Sequence, residues 1–330
     1  TIDLKFVEFH VNNTTMSSQV NQTRSQDVED LHSICQMMSS TCLLEIPGVK
    51  QQQLCYFFHD EDIRDVFHSL IDNHILSAPV WDKQQQKWIG LIDMKDFVAY
   101  ILHLFGRRQQ QTNPNTSSPV IAKESGQIVD FSKRNPFCPI SSTSTVQELL
   151  KSFSDRGLHR MAVVSATDPN HVMAMISQST IIGWLVDNEN RLGKLVHNSI
   201  EQLGVGAFGT IKKVIQLKKS NLLIDAFQLL HDQNLQGVAI VDDDGRFVGN
   251  ISASDLQFCV DENLSFLSYP VEDLFDSHPY RKFISRGPIV CLPSWSLVEV
   301  MRLMVEARVH RIYVVDSMKN FHPIGVITMT

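Results

Sequence analysis

The sequence has no long apolar stretch and no excess of positive charge. FVAYILHLF, residues 97–105, is the longest apolar candidate, and it falls short of the about 20 residues that a helix needs to cross a bilayer. Because 36 acidic residues outnumber 29 basic ones, the net charge is −7. Generic binding to nucleic acid or to anionic membranes needs a broad basic face. We therefore expect a soluble globular protein that belongs to neither of these classes.

Cysteine is scarce, and its spacing predicts no metal site. No C-x-x-C pair occurs among the six cysteines, so neither a zinc site nor a dense disulfide framework is expected. The N-terminus lacks a basic segment followed by an apolar core, so no secretory signal is predicted. The chain starts at Thr1 rather than at Met, and we expect it to be part of a longer protein. Reduced thiols and a cytoplasmic location, with the nucleus as a second location, are the resulting expectations.

One pattern occurs four times along the chain. The copies are IDNHILSAPVWD (71–82), SDRGLHRMAVVS (154–165), HDQNLQGVAIVD (231–242) and VEARVHRIYVVD (305–316). Each copy follows apolar residues at helical spacing and continues into a turn and a second apolar strand. The repeat is therefore helix, strand, turn, strand and helix, with a period of roughly 75–85 residues. A unit this small exposes an apolar face when alone, so pairing of repeats is predicted.

The composition between the copies sets the domain boundaries. The predicted division is a poorly patterned N-terminal segment at 1–45, repeat one at 46–106, a linker at 107–133, repeat two at 134–190, a connection with repeat three at 191–262, and repeat four at 263–330, truncated at its C-terminal end. The linker contains RRQQQTNPNTSSP, which is typical of a flexible loop.

The repeat unit resembles the CBS domain, and roughly residues 50–330 resemble the gamma regulatory subunits of AMP-activated protein kinases. SAPVWD followed by GLIDMKDFVAYILH is similar to the first repeat of that family. SIEQLGVGAFG is similar to its connection between halves, and VGNISASDLQF and VHRIYVVD resemble the plant-type, SNF-related members. The resemblance implies an α+β fold in which four tandem CBS repeats pair into two Bateman modules, arranged as a disc around a basic channel.

The resemblance also implies adenine-nucleotide sites in the clefts between paired repeats. A carboxylate in an [ST]-x-x-D pattern at the mouth of a helix can accept hydrogen bonds from both ribose hydroxyls. Repeat three carries the full pattern in Ser252, Ser254 and Asp255. Repeat one carries Asp96, with Asp93 in place of the usual Ser or Thr. A lone Asp at a helix start is usually only an N-cap, and this alternative weighs more on Asp96 than on the repeat-three carboxylate.

Repeats two and four depart from the carboxylate pattern. Thr180 stands at the carboxylate position of repeat two, so its own site is expected to be empty. Repeat four reads TMT and stops one residue before the expected Asp. Thr328 and Thr330 are therefore candidate ligand residues of an incomplete site.

Phosphate groups need cations, and the resemblance implies which residues supply them. The predicted phosphate- or nucleotide-contacting residues are His159, Arg160, Gln236, Arg281, His310 and Arg311. A His-Arg pair on a surface usually makes ion pairs, but recurrence at one position of a repeat favours a ligand role. Leu76 and Ser179 replace an expected Arg and Lys, which weakens the cleft of Asp96. Cys138 lines the site by resemblance and is equally well explained as plain core.

No catalytic constellation is found. LGVGAFGTIKKV, residues 203–214, resembles the glycine-rich loop of protein kinases, but the H-R-D and D-F-G motifs that a kinase also needs are missing. The glycines are better explained by a turn between modules. We predict no catalytic residue, no metal and no cofactor; the expected ligands are AMP, ADP and ATP.

The resemblance implies a non-catalytic subunit that senses adenine nucleotides for an energy-sensing Ser/Thr kinase. Its expected partners are the catalytic alpha and bridging beta subunits, and neither nucleic acid nor membrane. The main alternative is a CBS-domain scaffold, or a protein that binds another adenosyl ligand, outside the kinase complex and with weak or no nucleotide response. A channel or transporter tail is a third class, disfavoured because no membrane segment is visible.

Overall fold

Four three-stranded sheets, one for each copy of the sequence pattern, form the framework of the chain. The computed structural model describes residues 18–110, 123–134, 136–204, 214–258, 265–277 and 287–329. In each sheet a short first strand runs parallel to the second, which pairs antiparallel with the third. The strands are β1 (Phe57–Phe58), β2 (Ser77–Asp82), β3 (Lys87–Asp93), β4 (Ile140–Ser141), β5 (Arg160–Val164), β6 (Val172–Ser177), β7 (Gln216–Lys218), β8 (Gly237–Val241), β9 (Phe247–Ser252), β10 (Val290–Cys291), β11 (Arg311–Val315) and β12 (Pro323–Thr328).

The sheets share an irregularity at the same place. The pairing of second and third strands shifts after the fourth residue of the second strand: Val80, Val163, Ile240 and Val314. Such bulges bend a strand and aim its side chains. Because the shift recurs, residues of the four copies can be equated one by one.

Segments between the strands form the helices, except for the first helix, which precedes the first strand. They are α1 (Ser18–Ser40), α2 (Ile63–Asp72), α3 (Met94–Gln110), α4 (Val146–Arg156), α5 (Gln178–Asp187), α6 (Leu223–Asp232), α7 (Val271–Asp276) and α8 (Leu297–Ala307). Thr145 with Glu148 caps the start of α4, and Ser296 with Glu299 caps α8 in the same reciprocal way. No helix in the described part of the chain combines the length and the apolar character needed to span a membrane.

Repeat three differs from the prediction after its third strand. A 3-10 helix, Ala253–Phe258, stands where repeats one and two have an α-helix. The Ser252 hydroxyl contacts the Ser254 hydroxyl and the Asp255 carboxylate, both at 2.8 Å. Local side-chain bonds of this kind compete with α-helical hydrogen bonds, which explains the tighter turn.

Helices join the repeats across the two halves of the chain. α3 of repeat one packs on α6 of repeat three, in a core that contains Phe97 and Phe227. α5 of repeat two packs on α8 of repeat four, around Trp184 and Met301. These contacts bury the apolar faces that a single repeat would expose.

Sheets join the repeats within each half. The indole Nε1 of Trp88 in repeat one donates a hydrogen bond to the Asn170 carbonyl of repeat two at 2.9 Å. In the other half, the rings of Phe247 and Tyr313 lie 4.6 Å apart between repeats three and four. Each repeat thus contacts two others, and the four repeats form a closed ring.

The chain segments that precede the repeats are exchanged within each pair. Four isolated antiparallel bridges tie them to the residue before a helix of the partner repeat: Cys42 to Thr145, Glu124 to Asp62, Ser199 to Ser296, and Pro270 to Leu222. The N-terminal segment, for which no structure is predicted, contains α1, which packs on α4 and buries Met37.

Candidate functional site

The start of each second strand lies opposite the end of each third strand. The residues paired in this way are Ser77 with Asp93, Arg160 with Ser177, Gly237 with Ser252, and Arg311 with Thr328. Repeats two and four have arginine at the first position, whereas repeats one and three have Ser or Gly. The carboxylates Asp96 and Asp255 belong to the repeats with the small residue. An arginine of one repeat can therefore lie over the small residue of its partner.

Arg311 of repeat four reaches the sheet of repeat three. Its Nη1 donates a hydrogen bond to Asn250 Oδ1 at 3.2 Å, and the Tyr313 hydroxyl donates to the same oxygen at 3.0 Å. A Cβ built on Gly237 would lie only 1.6 Å from this Nη1. The close approach therefore requires glycine. Burial lowers the pKa of Arg311, although the Asp255 carboxylate acts in the opposite direction.

Asp255 is held at the mouth of the 3-10 helix and is 5% exposed. Its Oδ2 accepts hydrogen bonds from the Ser252 backbone N–H at 2.7 Å and from the Ser252 hydroxyl at 2.8 Å. Burial raises the pKa of Asp255 to about 6, against the hydrogen bonds from Ser252 and the charge of Arg311, which lower it. Burial thus outweighs the attraction between this carboxylate and the guanidinium, and a polar ligand would find both groups poorly solvated.

Asp96 occupies the matching position of repeat one and is fully buried. Its two oxygens accept hydrogen bonds from the backbone N–H groups of Asp93 and Ser132, each at 2.9 Å. Burial and the neighbouring Asp93 carboxylate raise the pKa of Asp96 to about 7. This is a capping arrangement, the alternative weighed against ribose binding at this residue, and the ribose role stays a prediction.

Arg160 of repeat two faces repeat one, as Arg311 faces repeat three. Its Nη2 lies 3.8 Å from Asp93 Oδ2. The carboxylate in place of the usual Ser or Thr thus partly neutralises the arginine. Ser77 pairs with Asp93 across the two strands, and its buried hydroxyl has no hydrogen-bond partner within the described residues. The two halves of the ring therefore contain related but unequal clefts.

His159 of repeat two precedes Arg160 at the cleft of repeat one and contacts repeat three. Its Nδ1 lies 3.3 Å from Gln178 Oε1, and Gln236 Nε2 lies 2.9 Å from its Nε2 and 3.1 Å from its Nδ1. An amide nitrogen can only donate, so this arrangement suits a neutral ring with the proton on Nδ1. Burial, followed by the charge of Lys95, lowers the pKa of His159 to about 4. Gln236 is thus placed against a histidine of the other half of the chain.

His310 lies among the cations at the centre of the ring. Burial lowers its pKa to about 4, and the charges of Arg160, Arg311 and His159 act in the same direction. The predicted His-Arg pairs of repeats two and four therefore converge on one region. Neutral imidazoles and partly buried guanidiniums in one place form a setting for phosphate groups.

Sequence reasoning missed three residues near this centre: Lys95, Ser132 and Arg134. Lys95 is the third residue of DMKD, the position that Ser254 holds in repeat three. Burial lowers the pKa of Lys95, and the Arg134, Arg160 and Arg311 charges contribute. Asn250 and Gly237, which position the Arg311 guanidinium, were also missed.

The remaining predicted residues have varied surroundings. Arg281 and Thr330 lie outside the described residues, as does most of the glycine-rich segment, residues 205–213. Leu76 packs against the core shared by repeats one and three, and Ser179 Oγ contacts Met329 Sδ at 3.4 Å. Cys138 is partly buried against the core of repeat two, which agrees with the core explanation.

Comparison with known proteins bears out the repeats. The CBS domain family matches residues 128–187, 205–261 and 281–330, about half of the chain. The chain belongs to the CBS domain family. Repeat one, outside the matched ranges, forms a sheet of the same topology. The predicted α+β fold of CBS repeats is thereby confirmed.

Relatives of this CBS chain fall into two groups. Protein SDS23 from Vanderwaltozyma polyspora is 25% identical over 91% of the chain and 59% of its own length. The gamma subunit of 5'-AMP-activated protein kinase from Dictyostelium discoideum is 24% identical over 81% of the chain and 46% of its own length. The human gamma-3 subunit is 22% identical over 82% and 53%. The chain is homologous to both groups and spans about half of the length of these relatives.

A solved structure shares the four-repeat fold. Protein MJ1225 from Methanocaldococcus jannaschii, described as a candidate archaeal homolog of g-AMPK, has a TM-score of 0.65. It is 15% identical, and the match covers 88% of this chain and 97% of that protein. At this identity the likeness shows the fold alone.

Proposed function

We propose that this CBS chain is a non-catalytic regulatory subunit that binds AMP, ADP or ATP in the clefts between paired repeats. One observation carries the proposal: Arg311 of repeat four crosses to repeat three, where it lies against Gly237 beside the buried Asp255. A carboxylate suited to ribose hydroxyls and a guanidinium suited to phosphate are thus combined in one cleft from two repeats. The homology to gamma subunits supports the adenine nucleotide as the ligand.

In this proposal the cleft of repeat three is the principal site. Its [ST]-x-x-D pattern is complete, and among the described residues Asp255 is the one carboxylate that acts on the pKa of Arg311. In the cleft of repeat one, the Asp93 carboxylate competes with a phosphate for Arg160 at 3.8 Å. Nucleotide binding there should be weaker, because the Asp93 carboxylate repels the phosphate of the nucleotide.

Titration of fluorescent AMP and ATP analogues onto the purified chain tests the proposal directly. We expect saturable binding that unlabelled AMP reverses. Arg156→Ala is a matched control, because this arginine is exposed on α4 and should leave binding unchanged. Absence of saturable binding to a folded chain would refute the nucleotide proposal.

The kinase complex is the second part of the proposal. We propose catalytic alpha and bridging beta subunits as partners, in the cytoplasm and also in the nucleus, and the plant-type character as the finer relationship. Nucleotide binding would act by favouring one state of the kinase over another. A pull-down from cells that express both subunits should recover them, and recovery of neither would contradict this part alone.

A scaffold outside the kinase complex is the second candidate function. The likeness to SDS23 extends over 91% of the chain, more than the likeness to either gamma subunit cited above. This alternative predicts that the chain binds nucleotide weakly or not at all and co-purifies without kinase subunits. The two experiments above therefore separate the candidates.

A further inference from the structure

A small pocket opens on the seam between repeats one and three, beside the ring centre. Its polar lining comes from repeat one and the segment that follows it: Lys95, Ser132 and Arg134. Repeat three contributes the opposite wall, with Leu230, His231 and Leu235. None of the described residues that line this pocket is acidic. The pocket therefore combines two cations and a serine with a wall that is apolar except for His231.

Three hydrogen bonds, two from backbone N–H groups and one from a side chain, position the polar side of the pocket. The Ser132 N–H donates to Asp96 Oδ1 at 2.9 Å, which places the Ser132 side chain over the start of α3. The Lys95 N–H donates to Asp93 Oδ1 at 2.8 Å in the same turn. Across the seam, Arg134 Nη1 donates to Asn234 Oδ1 at 3.1 Å. These bonds hold Lys95 and Ser132 at the start of α3 and tie the Arg134 side chain to repeat three.

Ser132 provides an independent sign of a ligand. The residue is only 8% exposed, and its Oγ has no hydrogen-bond partner within the described part of the chain. A buried hydroxyl without a partner is unfavourable, so most such groups are satisfied. Ser132 lines the same pocket as two cations, and rotation about its χ1 would turn the unsatisfied hydroxyl toward an oxyanion bound there.

Lys95 has little compensation for its charge. Among the described residues it forms no ion pair, and the Asp93 carboxylate is the one acid there that raises its pKa. Arg134, Arg160 and Arg311 all oppose its protonation. An anion between Lys95 and Arg134 would offset this repulsion.

We propose that Lys95, Ser132 and Arg134 form an oxyanion site that takes a phosphoryl group. The site lies on the seam between repeats one and three, whereas the clefts proposed for nucleotides lie within the pairs. Lys95 and Arg134 supply charge-assisted hydrogen bonds, and Ser132 donates its free hydroxyl. The pocket is open to solvent and too small to enclose a whole nucleotide, so a phosphoryl group would lie at its mouth, between the two cations.

Inorganic phosphate is the probe that tests the site. At constant ionic strength, the Tm of the intact chain should rise with phosphate concentration in a saturable way. Lys95→Met should weaken the apparent affinity by about 10-fold or more, and Ser132→Ala by about 2- to 10-fold. Lys151→Met, at an exposed lysine of α4, is the control and should leave the phosphate response unchanged.

Two further arms locate the phosphoryl group and its source. If the group is the distal phosphate of a bound nucleotide, Lys95→Met will weaken ATP and spare AMP, which also supports the site. If Arg160→Gln abolishes the phosphate response while Lys95→Met and Ser132→Ala leave it intact, the anion occupies the nucleotide cleft and the proposal is overturned. The proposal is also overturned if phosphate does not raise the Tm of the wild-type chain and Lys95→Met does not change the affinity for ATP. Neither result depends on whether AMP binds.

Discussion

Gly237→Ala should separate nucleotide affinity from stability, although Gly237 is expected to touch no nucleotide. The added Cβ would lie 1.6 Å from Arg311 Nη1, 2.4 Å from its Cζ and 2.5 Å from Asn250 Oδ1. Contacts this short cannot persist, so the flexible end of the arginine must move away. Gly237 does not have positive φ, so alanine causes no backbone strain there.

The two expected magnitudes differ. Alanine gains roughly 0.5–1 kcal/mol over glycine inside a strand, and the displaced guanidinium loses one hydrogen bond of about 1 kcal/mol. The free energy of unfolding should therefore change by less than about 1 kcal/mol. A misplaced guanidinium forfeits a charge-assisted bond to phosphate of about 1.5–3 kcal/mol, which corresponds to about 10- to 150-fold weaker AMP binding.

Calorimetric titration with AMP and with adenosine, together with urea unfolding, measures both effects. Adenosine should be nearly unaffected, because it has no phosphate. In an Arg311→Ala background, Gly237→Ala should cause no further loss, since the group it displaces is gone. Gly183→Ala is the control, because its Cβ would meet no atom within 4 Å. Unchanged AMP affinity in Gly237→Ala, or an equal loss for adenosine, would refute the assigned role of Arg311.

Other substitutions test the remaining parts of the site and the core. Asp255→Ala should weaken AMP and adenosine alike by roughly 2–4 kcal/mol in calorimetry, because both contain the ribose; a loss for AMP alone would contradict a ribose role. Arg311→Ala should weaken AMP and spare adenosine, and an equal loss for both would make the arginine structural. Leu76→Arg should tighten ATP binding in the cleft of repeat one by about 1.5–3 kcal/mol if the guanidinium reaches a phosphate, and unchanged affinity in a folded variant would remove that explanation of the weak cleft. The pKa of Asp96 is about 7 in the folded chain and about 3.9 in an unfolded one, so its stabilising effect is complete below about pH 4 and is lost as the pH rises to about 7. The free energy of unfolding should therefore fall over this pH range relative to that of Asp96→Asn. Identical pH profiles of the two chains would contradict the raised pKa. Phe227→Ala should lower the free energy of unfolding by about 3–5 kcal/mol in urea, because Phe227 is 1% exposed in the core shared by repeats one and three; a loss below about 1 kcal/mol would show that this core collapses around the gap.

The repeats could be predicted from the sequence because their signals are local. Apolar spacing marks the helices, and the four apolar strands follow at a regular interval. α1 could not be predicted in this way. Met37 is 1% exposed because it lies in the core of repeat two, where α1 packs on α4, and that contact joins residues far apart in the chain. Whether such a segment forms a helix depends on its tertiary contacts rather than on its local pattern.

The site was predictable in part for the same reason. The His-Arg pairs and the residue Asp255 stand at equivalent positions of a repeat, so comparison of the copies finds them. Gly237 and Asn250 matter because a side chain from another repeat lies on them, and nothing in their own repeat signals this. Lys95 was overlooked because it occupies a spacer position of the [ST]-x-x-D pattern. For Asp96, the pattern alone could not distinguish a helix cap from a ligand.

The bridges exchanged within each pair limit which parts of the chain can be excised as a fragment or duplicated as a gene segment. An excised repeat one keeps Asp62 but loses Glu124, and Cys42 of the segment that precedes repeat one loses Thr145. The smallest piece with all of its bridges satisfied is a pair of repeats. Duplication of a gene segment that encodes a pair copies both sides of each exchange, whereas duplication of a single repeat leaves extended backbone without its partner. This architecture therefore grows in steps of two, and truncated versions for expression should begin and end between pairs.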